Sequence, residues 1–142
     1  MPIATQAIAR ANTRVVRLQG GGLRFLDAHG GPRENFQVVT RPLQRFDATQ
    51  EWRVTNLGDD MVSLQQVSSG RFLTAELDFR VVTRPQRNGD HQRWRFQDFG
   101  GGFLTIQQVH SGRFLEATVH GDFAVVTRPP GNSEQVWRIG VT

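Results

Sequence analysis

Large apolar residues in this chain fall in short clusters that alternate with polar positions at a period of two. In Gln50-Glu51-Trp52-Arg53-Val54 the glutamine, tryptophan and valine share one face, and the same holds for Gln92, Trp94 and Phe96 and for Gln135, Trp137 and Ile139. The opposite faces carry Arg53, Arg93 with Arg95, and Arg138, which suits solvent. Such alternation predicts half-buried strands. No apolar period of 3.6 persists long enough for a helix, so the chain reads as all-β.

The clusters also repeat. Val-Val-Thr-Arg-Pro occurs three times, at Val38–Pro42, Val81–Pro85 and Val125–Pro129, which sets Thr40, Thr83 and Thr127 43 and 44 residues apart. Each copy is preceded by a phenylalanine (Phe36, Phe79, Phe123) and, further upstream, by Arg-Phe-Leu at Arg24, Arg71 and Arg113. Each is followed by Gln-x-Trp, which uses every tryptophan in the chain. Four strands per repeat are predicted: one of the Leu/Ile-Gln-Gln-Val type, then Arg-Phe-Leu, Phe-x-Val-Val-Thr and Gln-x-Trp. Proline ends the third, because it lacks the N–H for a ladder. Glycine- and serine-rich turns at Gly20-Gly21-Gly22, Ser68-Ser69-Gly70 and His110-Ser111-Gly112 join the first strand to the second.

Three such units suit a closed barrel, whereas a propeller needs about four blades. The 142 residues hold one core, not two. Residues 1–13 read as a tail or lead-in and 14–142 as a single domain, with repeats at about 14–56, 57–98 and 99–142.

Composition changes this picture little. Hydrophobic residues make up 37% and charged residues 21%, as in a globular domain. There is no cysteine, so neither disulfides nor thiolate metal sites support the fold. All 17 cationic residues are arginine, and without Lys or Tyr the sequence pI of 11.3 overstates a net charge of only +4. The arginines are dispersed and form no dense patch, so no nucleic-acid partner is expected. No apolar run reaches the roughly 20 residues of a transmembrane segment, and the first residues lack a secretory signal, which leaves the cytoplasm as the expected location unless a signal is trimmed.

Three Gln-x-Trp motifs at 42- and 43-residue spacing, with matching flanks, make residues 14–142 resemble the ricin-type (R-type) lectin family. The resemblance implies a β-trefoil: three repeats of four strands with pseudo-threefold symmetry, the tryptophans in the core. It also implies carbohydrate binding without catalysis, in shallow pockets, one per repeat. Each such pocket has an acidic residue after the Phe-Leu strand, an aromatic platform, and a polar residue before the motif glutamine. A carboxylate accepts adjacent sugar hydroxyls, an amide adds directional bonds, and an aromatic face covers the apolar side of the ring.

Repeat one matches best, with Asp27 at the acidic position, braced by Gln50, and Thr49 before it. Repeat three has Glu116, Glu134 and Gln135; repeat two has Thr74 and His91, and lacks the carboxylate. The family's platform position falls on Thr40, Thr83 and Thr127, none of which can stack. The substitute in repeat one is Phe46, in the longest of the three loops, with His29 and Asn35 as auxiliary contacts; the alternative is that Phe46 plugs the barrel end and Asp27 caps a turn. Arg41, Arg84 and Arg128 read either as anion contacts or as ion-pair partners of Asp78, Asp122 and Glu34.

The expected partners are glycans, galactose-type or other sugars. The competing reading is a protein-interaction trefoil, a protease inhibitor or toxin-associated module, presenting the Asp27–Asn35 loop or the Pro129-Pro130-Gly131 turn to a separate protein chain. The fold class itself hosts both. Ser68, Ser69 and Ser111 have no recurring Asp/His partner, so an enzyme is not expected. His29, His91, His110 and His120 lack metal-ligand spacing, and neither metal nor cofactor is expected.

Overall fold

The computed structural model describes residues 12–141; the lead-in expected for residues 1–13 lies outside them up to position 11. The first repeat contributes β1 (Thr13–Gln19), β2 (Phe25–Ala28), β3 (Val38–Arg41) and β4 (Trp52–Gly58). The second contributes β5 (Met61–Gln66), β6 (Phe72–Ala75), β7 (Val81–Arg84) and β8 (Trp94–Gly100). The third contributes β9 (Phe103–Gln108), β10 (Phe114–Ala117), β11 (Val125–Arg128) and β12 (Trp137–Val141).

The first and fourth strands of each repeat pair in a closed antiparallel ring, β1-β4-β5-β8-β9-β12 and back to β1. The second and third strands form the hairpins β2–β3, β6–β7 and β10–β11. The result is a barrel with three hairpins about a pseudo-threefold axis: the closed barrel that the repeats predict, and the β-trefoil that the resemblance implies. Closure leaves the barrel without an edge strand.

The tryptophans lie where the alternation places them. Trp52, Trp94 and Trp137 are 0% exposed and pack with Val54, Leu64, Leu104 and Ile106. Burying each indole also buries its N–H, and the hairpin answers: Nε1 donates to the carbonyl of Leu26 (3.0 Å), Leu73 (3.1 Å) and Leu115 (3.0 Å). Repeat one meets a further packing demand at Gly20, where a Cβ would stand 2.7 Å from the Trp137 ring. By register Gly20 corresponds to Gln66 and Gln108 of the other repeats, and only glycine fits beneath that indole.

One difference concerns the motif glutamines. They are not in strands but in short 3₁₀ turns, Ala48–Gln50, Asp90–Gln92 and Ser133–Gln135, each ending just before the tryptophan strand. The turn still directs glutamine and tryptophan inward. The phenylalanine ahead of each Val-Val is also outside its strand: Phe36, Phe79 and Phe123 have φ of 54°, 71° and 57°. That left-handed backbone costs a non-glycine residue about 1–2 kcal/mol.

The cost is offset by how the hairpins interlock. The first valines, Val38, Val81 and Val125, fill the core. Thr40 N–H donates to the Phe123 carbonyl (3.1 Å), Thr83 to Phe36 (3.0 Å) and Thr127 to Phe79 (3.4 Å), which closes a cycle through all three repeats. Arg24, Arg71 and Arg113 seal the same junctions. Each guanidinium lies 3.6–3.7 Å from the centroid of Phe123, Phe36 or Phe79 and donates to Oγ1 of its own repeat's threonine. Burial, and then the charge of Arg84, lowers the pKa of Arg71. The recurrent Arg, Phe and Thr are therefore the fastening of the threefold cap.

The two hairpin ends described within the barrel carry a bulge. The register shifts between Asn56 and Gly58 and between Asp98 and Gly100, with Asn56 Oδ1 and Asp98 Oδ1 accepting the glycine N–H at 2.9 and 2.8 Å. The glycines adopt φ of 86° and 92°, and the residues before them, Leu57 and Phe99, turn outward and are 44% and 59% exposed.

Phe123 offers a direct check on the left-handed cost. Phe123→Gly and Phe123→Ala both remove the ring under Arg24, but only glycine relieves the backbone. Urea denaturation should find the alanine variant less stable than the glycine variant by about 1 kcal/mol; the reverse order would mean that the positive φ is not maintained in solution.

Candidate functional site

The outer side of each hairpin gathers the polar side chains singled out by the sequence. In repeat one, Asp27 points from β2 toward the motif turn and is 0% exposed. Its Oδ2 accepts from Gln50 Nε2 at 3.1 Å, and its Oδ1 accepts from the Ala28 N–H at 2.7 Å and pairs with Arg41 Nη1 at 3.4 Å. Gln50 is equally enclosed. It also donates to the Pro42 carbonyl (2.8 Å) and accepts from the Gln44 N–H (2.9 Å), so that it ties the β2–β3 hairpin to the loop after it.

The same brace recurs. Gln92 donates to Thr74 Oγ1 and the Pro85 carbonyl and accepts from Arg87 N–H. Gln135 donates to Glu116 Oε1 (3.2 Å) and the Pro129 carbonyl (2.7 Å) and accepts from Gly131 N–H. Repeat two thus keeps the brace and replaces the carboxylate with a hydroxyl. In repeat three the longer Glu116 is held from a second side by Asn132 Nδ2, at 2.8 Å.

The ion pairs differ from the sequence expectation. Arg41, Arg84 and Arg128 do not pair with Asp78, Asp122 and Glu34. They reach across their own hairpins to Asp27, to Glu76 (2.7 Å) and to Glu116 (2.9 Å). Register accounts for two of the three: Arg41 and Arg128 stand opposite Phe25 and Phe114, diagonal to Asp27 and Glu116 two positions on along the partner strand, whereas Arg84, opposite Phe72, reaches past Thr74 to Glu76 just beyond the end of β6. Asp78 instead binds Arg80 (2.6 Å), and that contact, led by the Arg80 backbone N–H, holds its carboxyl below the usual range. Asp122 accepts from Ala124 N–H.

The couples of repeats one and three are uneven in exposure, whereas Arg84 and Glu76 are exposed alike, at 24% and 23%. The Arg41 side chain is 32% exposed above a fully buried Asp27, and Arg128 is 52% exposed beside Glu116 at 9%. In repeats one and three the outermost polar group is therefore a guanidinium whose charge is already balanced. His29 joins the first couple, with Nδ1 at 3.0 Å from Arg41 Nη2.

The remaining sequence candidates are more scattered. Phe46 is fully exposed, at 104%, so it does not plug the barrel, and among the described contacts none ties its ring to the Asp27 cluster. Asp27 lies within a strand and does not cap a turn. Thr49 is half-buried; its N–H donates to Asp47 and its carbonyl accepts from Gln66. Asn35 closes the 3₁₀ turn Pro32–Glu34 in a left-handed conformation, donating its N–H to Pro32.

Thr40, Thr83 and Thr127, at the family's platform position, are 1% exposed. The turn serines are engaged as well, Ser69 and Ser111 donating to Gln66 and Gln108 at 2.6 Å. Among the described residues no three His, Asp or Glu side chains converge as a metal site would require. Sequence reasoning missed the aromatic pair Phe99 and Phe114, which lines a groove beside repeat three. The signal was present in the outward position of Phe99 before Gly100, but the two come from different repeats.

The comparisons agree with this architecture. The family model described as ricin-type beta-trefoil lectin domain-like matches residues 48–125. Comparison with curated protein sequences gives no match. Among solved structures, the chain is similar to ThreeFoil, a designed threefold-symmetric protein, at 24% identity and TM-score 0.78, covering 88% of this chain and 96% of that one. It is similar to the Polyporus squamosus lectin bound to the epitope Neu5Aca2-6Galb1-4GlcNAc, at 14% identity and TM-score 0.78, and to the exo-beta-1,3-galactanase 1,3Gal43A of Clostridium thermocellum, at 19% and 0.81. The matches cover 90% and 91% of this chain but only 49% of the lectin and 30% of the galactanase.

The brace itself can be tested. Gln50→Leu strips a partner from a buried carboxylate, whereas Gln92→Leu strips one from a hydroxyl. Because bonds to charged groups are the stronger, Gln50→Leu should cost about 1 kcal/mol more in chemical denaturation; equal costs would show that Asp27 does not depend on Gln50.

Proposed function

The chain belongs to the ricin-type β-trefoil lectin domain-like family, and from that premise we propose that it is a non-catalytic glycan-binding module. Its sugars are taken on the outer faces of the hairpins in repeats one and three, where the motif glutamine still braces a carboxylate. The observation that carries this reading is the pairing of Gln50 with Asp27 and of Gln135 with Glu116, each beside a partly exposed arginine.

The chemistry favours neutral sugars. An arginine already paired with a carboxylate carries little net charge, so it serves better as a set of directed N–H donors than as an anion trap. Arg41 and Arg128 donate to ring hydroxyl oxygens, while Asp27 and Glu116 orient the guanidinium and accept from a hydroxyl as the side chains adjust. In repeat one, Phe46 is an exposed apolar face for the ring, with His29, Asn35 and Thr49 around the margin. In repeat two, Arg84 and Glu76 remain, without a carboxylate beneath the glutamine. The absence of catalysis is supported by the engagement of Ser69 and Ser111 in their own turns and by the separation of Asp27 and Glu116 into different repeats.

A glycan array read at two salt concentrations tests this. Binding to neutral glycans should be nearly independent of salt, and Arg41→Ala and Arg128→Ala should each weaken the site they serve by about tenfold, without loss of folding by circular dichroism. Retention confined to sulfated or uronic glycans, fading steeply with salt, would instead make the arginines anion contacts.

A further inference from the structure

We propose that repeat three holds its sugar ring in a groove beside the Glu116 carboxylate, with Phe99 of the preceding repeat as the stacking platform. This rests on the glycan-binding reading above and supplies what that reading lacks in repeat three, where the family's platform position is a buried threonine.

The groove, of ≈ 280 Å³, runs between the end of the β8–β9 hairpin and the loop after β11. Its apolar walls are Phe99, 59% exposed, and the half-buried Phe114. Gln97, Thr105 and Asn132 supply the polar groups. Thr105 lines the groove, and its Oγ1 is buried without a hydrogen-bond partner. Asn132 spends its Nδ2 on Glu116, which leaves its amide oxygen for a hydroxyl and joins the groove to the carboxylate. Aromatic walls with a few amides and a hydroxyl at the rim match a pyranose, whose C–H face is apolar and whose edge is polar. The volume, just below the roughly 300–1,000 Å³ of ordinary small-molecule sites, suits a single ring.

Threefold symmetry provides an internal control. The corresponding groove in repeat two is ≈ 120 Å³ and has Leu57 in the place of Phe99 and Ser63 in the place of Thr105. The equivalence is fixed by hydrogen bonding as well as register: Arg87 N–H and Gly131 N–H bond the Oε1 of their motif glutamines alike. An arginine therefore lines repeat two where repeat three has no side chain. In repeat one the position of Thr105 is taken by Arg17, which pairs with Glu51 at 3.5 Å. Against repeat two, repeat three combines a second aromatic wall with an open loop, and it is one of the two repeats with a braced carboxylate.

The test is an amide NMR titration with the methyl glycosides of galactose, glucose and N-acetylglucosamine. At least one should shift the resonances of Phe99, Thr105, Gly131 and Asn132. Phe99→Leu, which copies repeat two on an exposed position, should weaken that response about tenfold, and Phe99→Trp should retain or strengthen it. Shifts confined to the Asp27–Arg41 hairpin, or a groove response indifferent to Phe99→Leu, would overturn the groove and leave glycan binding standing. Silence at both places would overturn both, and a response to an apolar peptide alone would make the groove a protein contact.

Discussion

Three glutamine amides and three indole N–H groups are buried where the barrel meets its caps, and the fold depends on each finding a partner within the chain. An amide shut away from water without its bonds costs about 1–3 kcal/mol, so six such groups could undo a small domain. Each indole is answered by a leucine carbonyl of its own hairpin. Each glutamine is answered by a proline carbonyl, a loop N–H and a side chain at position 27, 74 or 116. The cap, the loop and the barrel strand are thereby fixed to one another, and the third partner is the position at which a lectin of this family places its carboxylate. Stability and the proposed binding meet at one atom pair, and repeat two lacks the acid and keeps the brace through threonine.

Much of this was legible in the chain. The alternation around each tryptophan identified the inward face, three copies of one frame identified a closed barrel, and the resemblance carried by the Gln-x-Trp motifs implied the trefoil. The brace between Asp27 and Gln50 also followed from the motif. What escaped were relations between repeats. Arg24, Arg71 and Arg113 recur because each lies over a phenylalanine of another repeat, and nothing in linear spacing says which repeat is the neighbour. A second miss lay within each repeat, at the arginines after the threonines. Glu34, Asp78 and Asp122 recur in sequence, but the paired strands, invisible in the linear chain, bring Asp27 and Glu116 within reach of Arg41 and Arg128, and the turn after β6 brings Glu76 to Arg84.

The repeats are alike where they build and unlike where they face outward. Buried valines, threonines and tryptophans are held constant by the shared core, while the loops after each Thr-Arg-Pro carry Phe46 in one repeat, Arg87 in the next and Gly131 in the third. Identical frames thus present different surfaces. A threefold scaffold of this kind can lose one site without disturbing the others, and under the proposed function two sites on one chain would gain avidity toward glycans displayed in number.

The measurement that most directly tests a glycan-binding role divided unequally among the repeats is the binding stoichiometry at saturation, read by native mass spectrometry with a neutral glycan ligand. Occupancy should rise to two sugars per chain and stop there, with repeat two empty. Three equal occupancies would contradict the dependence on a braced carboxylate, and none would contradict glycan binding itself.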